Sequence, residues 1–188
     1  YQLTGTLHLP NKPSPPVVIG CHGLLANRHS PKQISLANAC TTTGIAYFRF
    51  DHRGCGDSQG DFTKVTTLES RCRDLTQAIT TIQNHPATGA IICLFGSSFG
   101  GTVVLAHATR HPAPLLITYA APVNSKDIRH HNIRDYSGQT PSSYLLTEAL
   151  AFDITPELNA ISNILICHSQ GDETVPASHA DTIYTAAT

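Results

Sequence analysis

Short, uninterrupted apolar runs recur along the chain and alternate with longer amphipathic stretches. Unbroken apolar runs are typical of strands buried on both faces of a parallel sheet. The runs are Val17–Cys21, Ile45–Phe50, Ala90–Phe95, Leu115–Ala120 and Ile164–Cys167. Leu3–Leu9 instead alternates apolar and polar residues, as a half-exposed edge strand does. Strands that alternate with helices predict an α/β fold with a doubly wound, mostly parallel sheet.

The stretches between the strands carry helix signals. Pro31–Thr43 is predicted as a helix with Ile34, Ala37 and Cys40 facing inward, and Gly44 ends it. A second helix is predicted to begin near Thr66, which has capping-box spacing to Glu69. Its apolar positions recur at helical intervals: Leu68, Cys72, Leu75, Ile79 and Ile82. Further helices are expected over Thr102–Ala108 and from Ala177 onward.

Composition narrows the classes of function. The 188 residues are predicted to form one domain, residues 1–188, with a cap-like excursion over 123–160 that lacks a clear period. Charged residues make up 13% of the chain and the net charge is −1, so nothing favours nucleic acid as a partner. No apolar stretch is long enough to span a membrane. The six cysteines are scattered, which favours reduced thiols in a cytoplasmic protein.

The segment Gly96-Ser97-Ser98-Phe99-Gly100 joins a predicted buried strand to a predicted helix. Strand, G-x-S-x-G and helix together form the nucleophile elbow typical of α/β-hydrolases, with Ser98 at the tip. The backbone N–H of Phe99, directly after Ser98, is the expected first donor to an oxyanion. If Ser98 is not the nucleophile, Ser97 is the next candidate.

A serine nucleophile needs an acid, a base and a second oxyanion donor. Chain order favours Asp172 as the acid, because it follows the strand after the excursion; Asp153 is the competitor. The alternative role of Asp172 is to cap its own turn. The loop after the second strand places the N–H of Leu24 near the elbow. His22 precedes the nucleophile and is interpreted as a structural residue of that loop.

Other polar residues are given structural roles. In the segment after the third strand, Asp51 and Arg53 are expected to brace the strand end, and His52 is not assigned to the chemistry. The chain has eleven histidines, but His130–His131 are adjacent and point apart, and the pair His107 and His111 has no acidic or cysteine cluster nearby. We therefore predict neither a metal site nor a cofactor.

Four segments together resemble a known family: Val17–Leu25, Phe50–Ser58, Gly96–Gly101 and Asp172–Pro176. They are similar to compact α/β-hydrolases that include feruloyl and cinnamoyl esterases, monoacylglycerol lipases and serine aminopeptidases. The resemblance implies the same residues: Ser98 as nucleophile, Asp172 as acid, and Leu24 and Phe99 as oxyanion donors.

The resemblance also implies a histidine base after one further strand. We expect this strand and histidine beyond Thr188, in a longer natural protein, and we expect residues 1–188 alone to show little esterase activity. His179 lies seven positions past Asp172 on a predicted helix, so we do not assign it as the base.

The function predicted is a serine hydrolase that cleaves carboxylic esters of small molecules through an acyl-Ser98 intermediate. One alternative is cleavage of amides or peptides by the same residues. Another is a degenerate hydrolase fold that binds a ligand without turnover. The sequence does not indicate the oligomeric state.

Overall fold

The computed structural model describes residues 1–129 and 150–187. In this part of the chain six strands form one sheet: β1 (Gly5–His8), β2 (Val17–Cys21), β3 (Ala46–Phe50), β4 (Ile91–Ser97), β5 (Leu116–Tyr119) and β6 (Ile164–Cys167). The α-helices are α1 (Pro31–Thr42), α2 (Phe62–Val65), α3 (Leu68–Gln83), α4 (Phe99–Ala108) and α5 (Ser178–Ala186), and a 3₁₀ helix covers Thr155–Ala160. All the predicted strands are present.

The strands lie in the order β1-β3-β2-β4-β5-β6. Strands β2 to β6 are parallel, and β1 at the edge pairs antiparallel with β3. From β2 the chain adds β3 on one side and then β4 on the other, so the winding reverses between β2 and β4. In open α/β sheets such a switch point leaves a crevice at the carboxyl ends of the strands. The predicted doubly wound, mostly parallel fold is confirmed.

Helices cover both faces of the sheet. On one face, α1 packs with the strands through Val18, Ala37, Tyr47, Cys93 and Phe95. On the other face, α3, α4 and α5 contribute to a larger apolar cluster. Its most buried members include Ile19, Leu75, Leu94, Val103, Leu105, Leu116 and Ile183. This burial on both faces explains why the central strands lack an alternating pattern.

The inward face of α1 differs from the prediction. Ala37 is fully buried and Cys40 is partly buried, but Ile34 is 37% exposed. Gln33, with 1% exposure, takes the inward position instead. Its Oε1 accepts a hydrogen bond from the Tyr47 hydroxyl at 2.7 Å, which offsets the cost of burying the oxygen of the amide.

The start of α3 also differs from the prediction. The N-cap is Thr67 rather than Thr66, and its partner at the third helical position is Ser70 rather than Glu69. Ser70 N–H donates to Thr67 Oγ1 at 3.0 Å, and Thr67 N–H donates to Ser70 Oγ at 2.9 Å. A serine hydroxyl can thus replace the usual carboxylate, while Glu69 pairs with Arg73 on the surface.

Asp51 joins the loops that follow β2 and β3. Its carboxylate accepts the backbone N–H of Arg28 at 2.6 Å, pairs with the Arg28 guanidinium, and accepts the N–H of Asp57 at 3.0 Å. Gly56 has a φ of +52°, and a Cβ there would overlap this carboxylate. The bracing role predicted for Asp51 is confirmed.

A second buried network lies beside it. Arg53 donates to Asp74 Oδ1 from Nε at 2.8 Å and from Nη2 at 2.6 Å. His52 is fully buried, with Nδ1 3.5 Å from Asp74 Oδ2. Burial lowers the pKa of His52 to about 4 against the opposing effect of Asp74. Burial alone would raise the pKa of Asp74, but the neighbouring His52 and the hydrogen bonds from Arg53 hold it below its usual value.

We expect the free energy of unfolding to fall as the pH drops from about 6.5 towards 4. In the unfolded chain His52 takes up a proton near pH 6.5, whereas in the folded protein it does so near pH 4. Its contribution is therefore complete above the unfolded pKa and is lost towards the folded one, a change of ~3 kcal/mol. Urea unfolding over this pH range measures it.

Two variants isolate this effect. His52→Leu should lower the pH slope by about one proton, because the titrating group is gone. His29→Gln, at an exposed histidine, should leave the slope unchanged. An unaltered slope in His52→Leu would contradict the prediction.

Residues 130–149 of the predicted excursion over 123–160 lie outside the described residues, and the cap remains a prediction. Its two described ends meet: Asn124 pairs with Asp153 in an isolated β-bridge, and Ser125 N–H donates to Phe152 O at 2.9 Å.

Among the described residues, no helix is long and apolar enough to cross a bilayer.

Candidate active site

The turn between β4 and α4 has a strained backbone. Ser98 has φ +53° and ψ −127°, a conformation that non-glycine residues rarely adopt. The glycines on both sides make room for it: a Cβ at Gly96 would overlap Gly100 O, and a Cβ at Gly100 would overlap the carbonyl oxygens of Cys21 and His22. Ser98 therefore stands at the tip of a sharp strand-to-helix turn, as the motif predicts.

A cavity of about 650 Å³ opens above the carboxyl ends of the strands. Ser98, Asp172, Leu24 and Phe99 all line it, although they come from three separate loops. The structure thus brings the four predicted site residues to one place. Apolar side chains make up much of its remaining wall: Leu25, Ile128, Leu150, Phe152 and Val175.

Asp172 lies in the turn after β6. Its Oδ1 accepts the backbone N–H groups of Thr174 at 2.9 Å and Val175 at 2.8 Å. Its Oδ2 is 3.9 Å from His168 Nε2, which is bonded to Val175 O at 2.8 Å. One oxygen thus fixes the turn and holds the carboxylate in place at the cavity. The structural role and the acid role are therefore compatible.

The two predicted oxyanion donors are both unpaired in the described part of the chain. Neither the N–H of Leu24 nor that of Phe99 has an acceptor there. Phe99 opens α4, where a helix leaves its first N–H groups without intrahelical partners. Gly23, next to Leu24, lies against Ser98: a Cβ at Gly23 would be 4.0 Å from Ser98 Oγ.

His22 shapes the loop that carries Leu24. It is 1% exposed, and its Nε2 accepts the backbone N–H of His52 at 3.1 Å. The neutral ring therefore carries its proton on Nδ1, which donates to Gly23 O at 2.8 Å. Burial, with added effects from His52 and Arg71, lowers the pKa of His22 well below its ordinary value. The structural role predicted for His22 is confirmed.

Arg71, which was not predicted as a site residue, lies beneath this loop. Its side chain is fully buried on α3. Nη2 donates to Leu24 O at 2.8 Å and Nη1 to Gly23 O at 3.2 Å. Burial lowers the pKa of Arg71, although an arginine remains charged even so. One signal was available: Arg71 lies three positions after Leu68 and four before Leu75, on the apolar stripe of the helix.

Lys32 was also not predicted as part of the cavity wall, whereas Ser97 was predicted only as the alternative nucleophile. Both line it, and Lys32 Nζ donates to Ser97 Oγ at 2.8 Å. The same ammonium lies 3.7 Å from the centroid of the Tyr119 ring. This cation is at the rim, because Lys32 as a whole is exposed.

No base is assigned among the described histidines. His22 is the one of them that lines the cavity, and both its nitrogens are occupied. His179 is 2% exposed on α5, and its Nδ1 accepts the N–H of Val123 at 3.2 Å, consistent with leaving it out. His130 and His131 lie outside the described residues.

Within residues 1–129 and 150–187, no group of three or more histidine, cysteine or acidic residues is arranged to hold a metal. His107 on α4 and His111, three residues beyond the end of that helix, have ring centroids 4.7 Å apart. Burial lowers the pKa of His107 to about 4, with His111 adding to the effect. The six cysteines are all unpaired.

Several known proteins are similar in sequence to part of this chain. The mouse protein "Palmitoyl-protein thioesterase ABHD10, mitochondrial" is 31% identical over 101 residues, which are 54% of this chain and 32% of that protein. The monkeypox virus "Monoglyceride lipase homolog" is 33% identical over 92 residues, 48% of this chain and 32% of that protein. The matched part of the chain thus spans about a third of the length of these relatives.

Solved structures and a family model complete the comparison. Est1E from Butyrivibrio proteoclasticus, solved with ferulic acid bound, superposes with a TM-score of 0.77 at 19% identity, covering 98% of this chain and 82% of that one. At this identity the likeness shows the fold. The family model described as "Serine aminopeptidase, S33" matches residues 12–137. The chain belongs to this family, within the α/β-hydrolase superfamily.

Proposed function

We propose that this protein is a serine hydrolase that cleaves carboxylic esters through an acyl-Ser98 intermediate. The observation that carries the proposal is the strained Ser98 turn beside two unpaired backbone N–H groups in one cavity. Ser98 Oγ attacks the ester carbonyl, and the N–H groups of Leu24 and Phe99 stabilise the oxyanion. The ester C–O bond breaks and the alcohol leaves with the proton taken from the serine. Water then hydrolyses the acyl-Ser98 ester, which releases the acid and regenerates the serine.

Asp172 would orient a histidine that takes the serine proton. Its fixed carboxylate suits this role, because Oδ1 is held by two backbone N–H groups while Oδ2 has no backbone donor among the described residues. The histidine itself would come from outside the described residues. A base with a pKa near neutrality suits this proton transfer.

The apolar wall of the cavity favours substrates with an apolar acyl group. Leu150, Phe152 and Phe99 form one cluster, with the rings of Phe99 and Phe152 5.5 Å apart. The names of the relatives, a thioesterase and a monoglyceride lipase homologue, agree with acyl transfer from oxygen or sulfur esters. The family description leaves amide or peptide cleavage as the second candidate.

The test uses the natural full-length protein. We expect a fluorophosphonate probe to label it at Ser98, and p-nitrophenyl esters to be hydrolysed faster as the acyl chain lengthens until the cavity is filled. Matching p-nitroanilides should react far more slowly. Faster cleavage of aminoacyl p-nitroanilides would favour the peptidase, and a lack of labelling would favour ligand binding without turnover.

A further inference from the structure

The Arg71 guanidinium is buried without a carboxylate in contact. Among the described residues, no acidic oxygen lies within ion-pair distance of it. The nearby Asp74 carboxylate is engaged by Arg53. The Nε of Arg71 has no acceptor among the described residues, and its third contact is Cys55 Sγ at 3.3 Å. Burying a charge without a carboxylate partner lowers the stability of the fold. This cost indicates that Arg71 has a functional role.

The contacts of Arg71 converge on the oxyanion donors. Gly23 O and the N–H of Leu24 belong to one peptide group, which is planar and trans, so its C=O and N–H point in opposite directions. Arg71 and His22 both hold Gly23 O from inside the protein. The Leu24 N–H is therefore directed away from them, and it has no acceptor among the described residues.

The same guanidinium reaches the second donor residue. Its central carbon lies 5.3 Å from the centroid of the Phe99 ring. Arg71 thus touches both residues whose N–H groups would bind the oxyanion. Hydrogen bonding to a carbonyl also polarises the peptide and strengthens its N–H as a donor, more so at low dielectric.

From these contacts we infer that Arg71 is the positioning residue of the oxyanion hole. It fixes the Gly23–Leu24 peptide from behind, and its positive charge favours the negative oxygen that forms in front. This inference rests on the proposed function. Because it acts in the transition state, the loss of Arg71 should lower kcat far more than it changes KM.

The decisive variant is Arg71→Met in the full-length protein, with p-nitrophenyl butyrate as the substrate. Removal of an oxyanion donor costs about 10²–10³ in kcat, so a misdirected donor should cost about 10- to 100-fold. The change in KM should stay within about threefold. The urea midpoint should change little, because the loss of the hydrogen bonds to Gly23 O and Leu24 O offsets the gain from removing a buried charge.

Arg53→Met is the matched control. Arg53 is also largely buried, but it pairs with Asp74 and does not touch Gly23 or Leu24. We expect this variant to lower the urea midpoint and to keep the wild-type kcat per active site, titrated with the fluorophosphonate. Arg71 and Arg53 should therefore show opposite patterns of activity and stability.

An inhibitor separates positioning from a general structural role. A trifluoromethyl ketone adds to the serine and forms a tetrahedral oxyanion, so its Ki should rise in Arg71→Met by the factor that kcat/KM falls. If Arg71→Met does not fold, Arg71→Lys is measured instead, with a kcat loss of about tenfold expected because one ammonium cannot hold both carbonyls in the same geometry.

The outcomes separate the two proposals. A folded variant with kcat within twofold of wild type, or an unchanged Ki, would overturn the role of Arg71 while leaving the proposed function intact. An activity loss that only follows a loss of folded protein would also overturn it. A wild-type protein that neither reacts with the probe nor hydrolyses esters would refute the proposed function itself.

Discussion

Replacing Ser98 with alanine is expected to abolish fluorophosphonate labelling and to lower kcat by about 10⁶, the loss typical of a triad nucleophile. The side chain forms the covalent bond to the acyl group, so no neighbouring group replaces it. Residual hydrolysis of about 10³–10⁴ over water should remain, because the backbone donors and the cavity still bind the transition state. Labelling, intact mass after reaction and ester turnover measure these effects in the full-length protein.

Ser97→Ala is the control for this variant. Ser97 is adjacent to Ser98 and lines the same cavity, but its Oγ accepts a hydrogen bond from Lys32. Its backbone belongs to β4, whereas the strained conformation is at Ser98. Ser97→Ala should therefore still be labelled. Loss of labelling in Ser97→Ala with labelling retained in Ser98→Ala would exchange the two assignments.

The strands could be predicted because their signal is local. An apolar run such as Val17–Cys21 is buried whatever its neighbours are, and the strand is found with those bounds. The inward faces of the helices were harder to predict, because they depend on which side chains of the sheet pack against them. Gln33 turns inward since Tyr47 supplies a hydroxyl, and this displaces Ile34 to the surface. No spacing within α1 contains that information.

The candidate site residues also differ in whether the sequence could predict them. Ser98 and Phe99 were predicted from a motif of five consecutive residues, Asp172 from chain order, and Leu24 from its place in the loop after β2. Arg71 could not be placed by such rules, because its acceptors Gly23 and Leu24 are 48 and 47 positions away in sequence. A charged residue on the apolar face of a helix predicts a buried charge, but only the folded structure shows which loop that charge contacts.

The hydrogen bonds of Asp172 allow a substitution that should remove its role as the acid without changing the turn. In Asp172→Asn the amide oxygen can still accept the N–H groups of Thr174 and Val175, so the turn should keep its shape. The other oxygen becomes an NH₂ group, which donates rather than accepts. It therefore cannot hold the imidazole N–H of a catalytic histidine or stabilise the imidazolium.

We expect Asp172→Asn to lower kcat by up to about 10⁴, with the free energy of unfolding changed by less than about 1 kcal/mol. Asp153→Asn is the matched control, since Asp153 was the competing acid and its Oδ1 caps a similar turn at Thr155 at 3.0 Å. Asp153 is not part of the cavity wall, so its variant should retain the wild-type kcat. Steady-state kinetics and urea unfolding of both variants decide the assignment. Wild-type turnover in Asp172→Asn, or a large loss in Asp153→Asn, would move the acid away from Asp172.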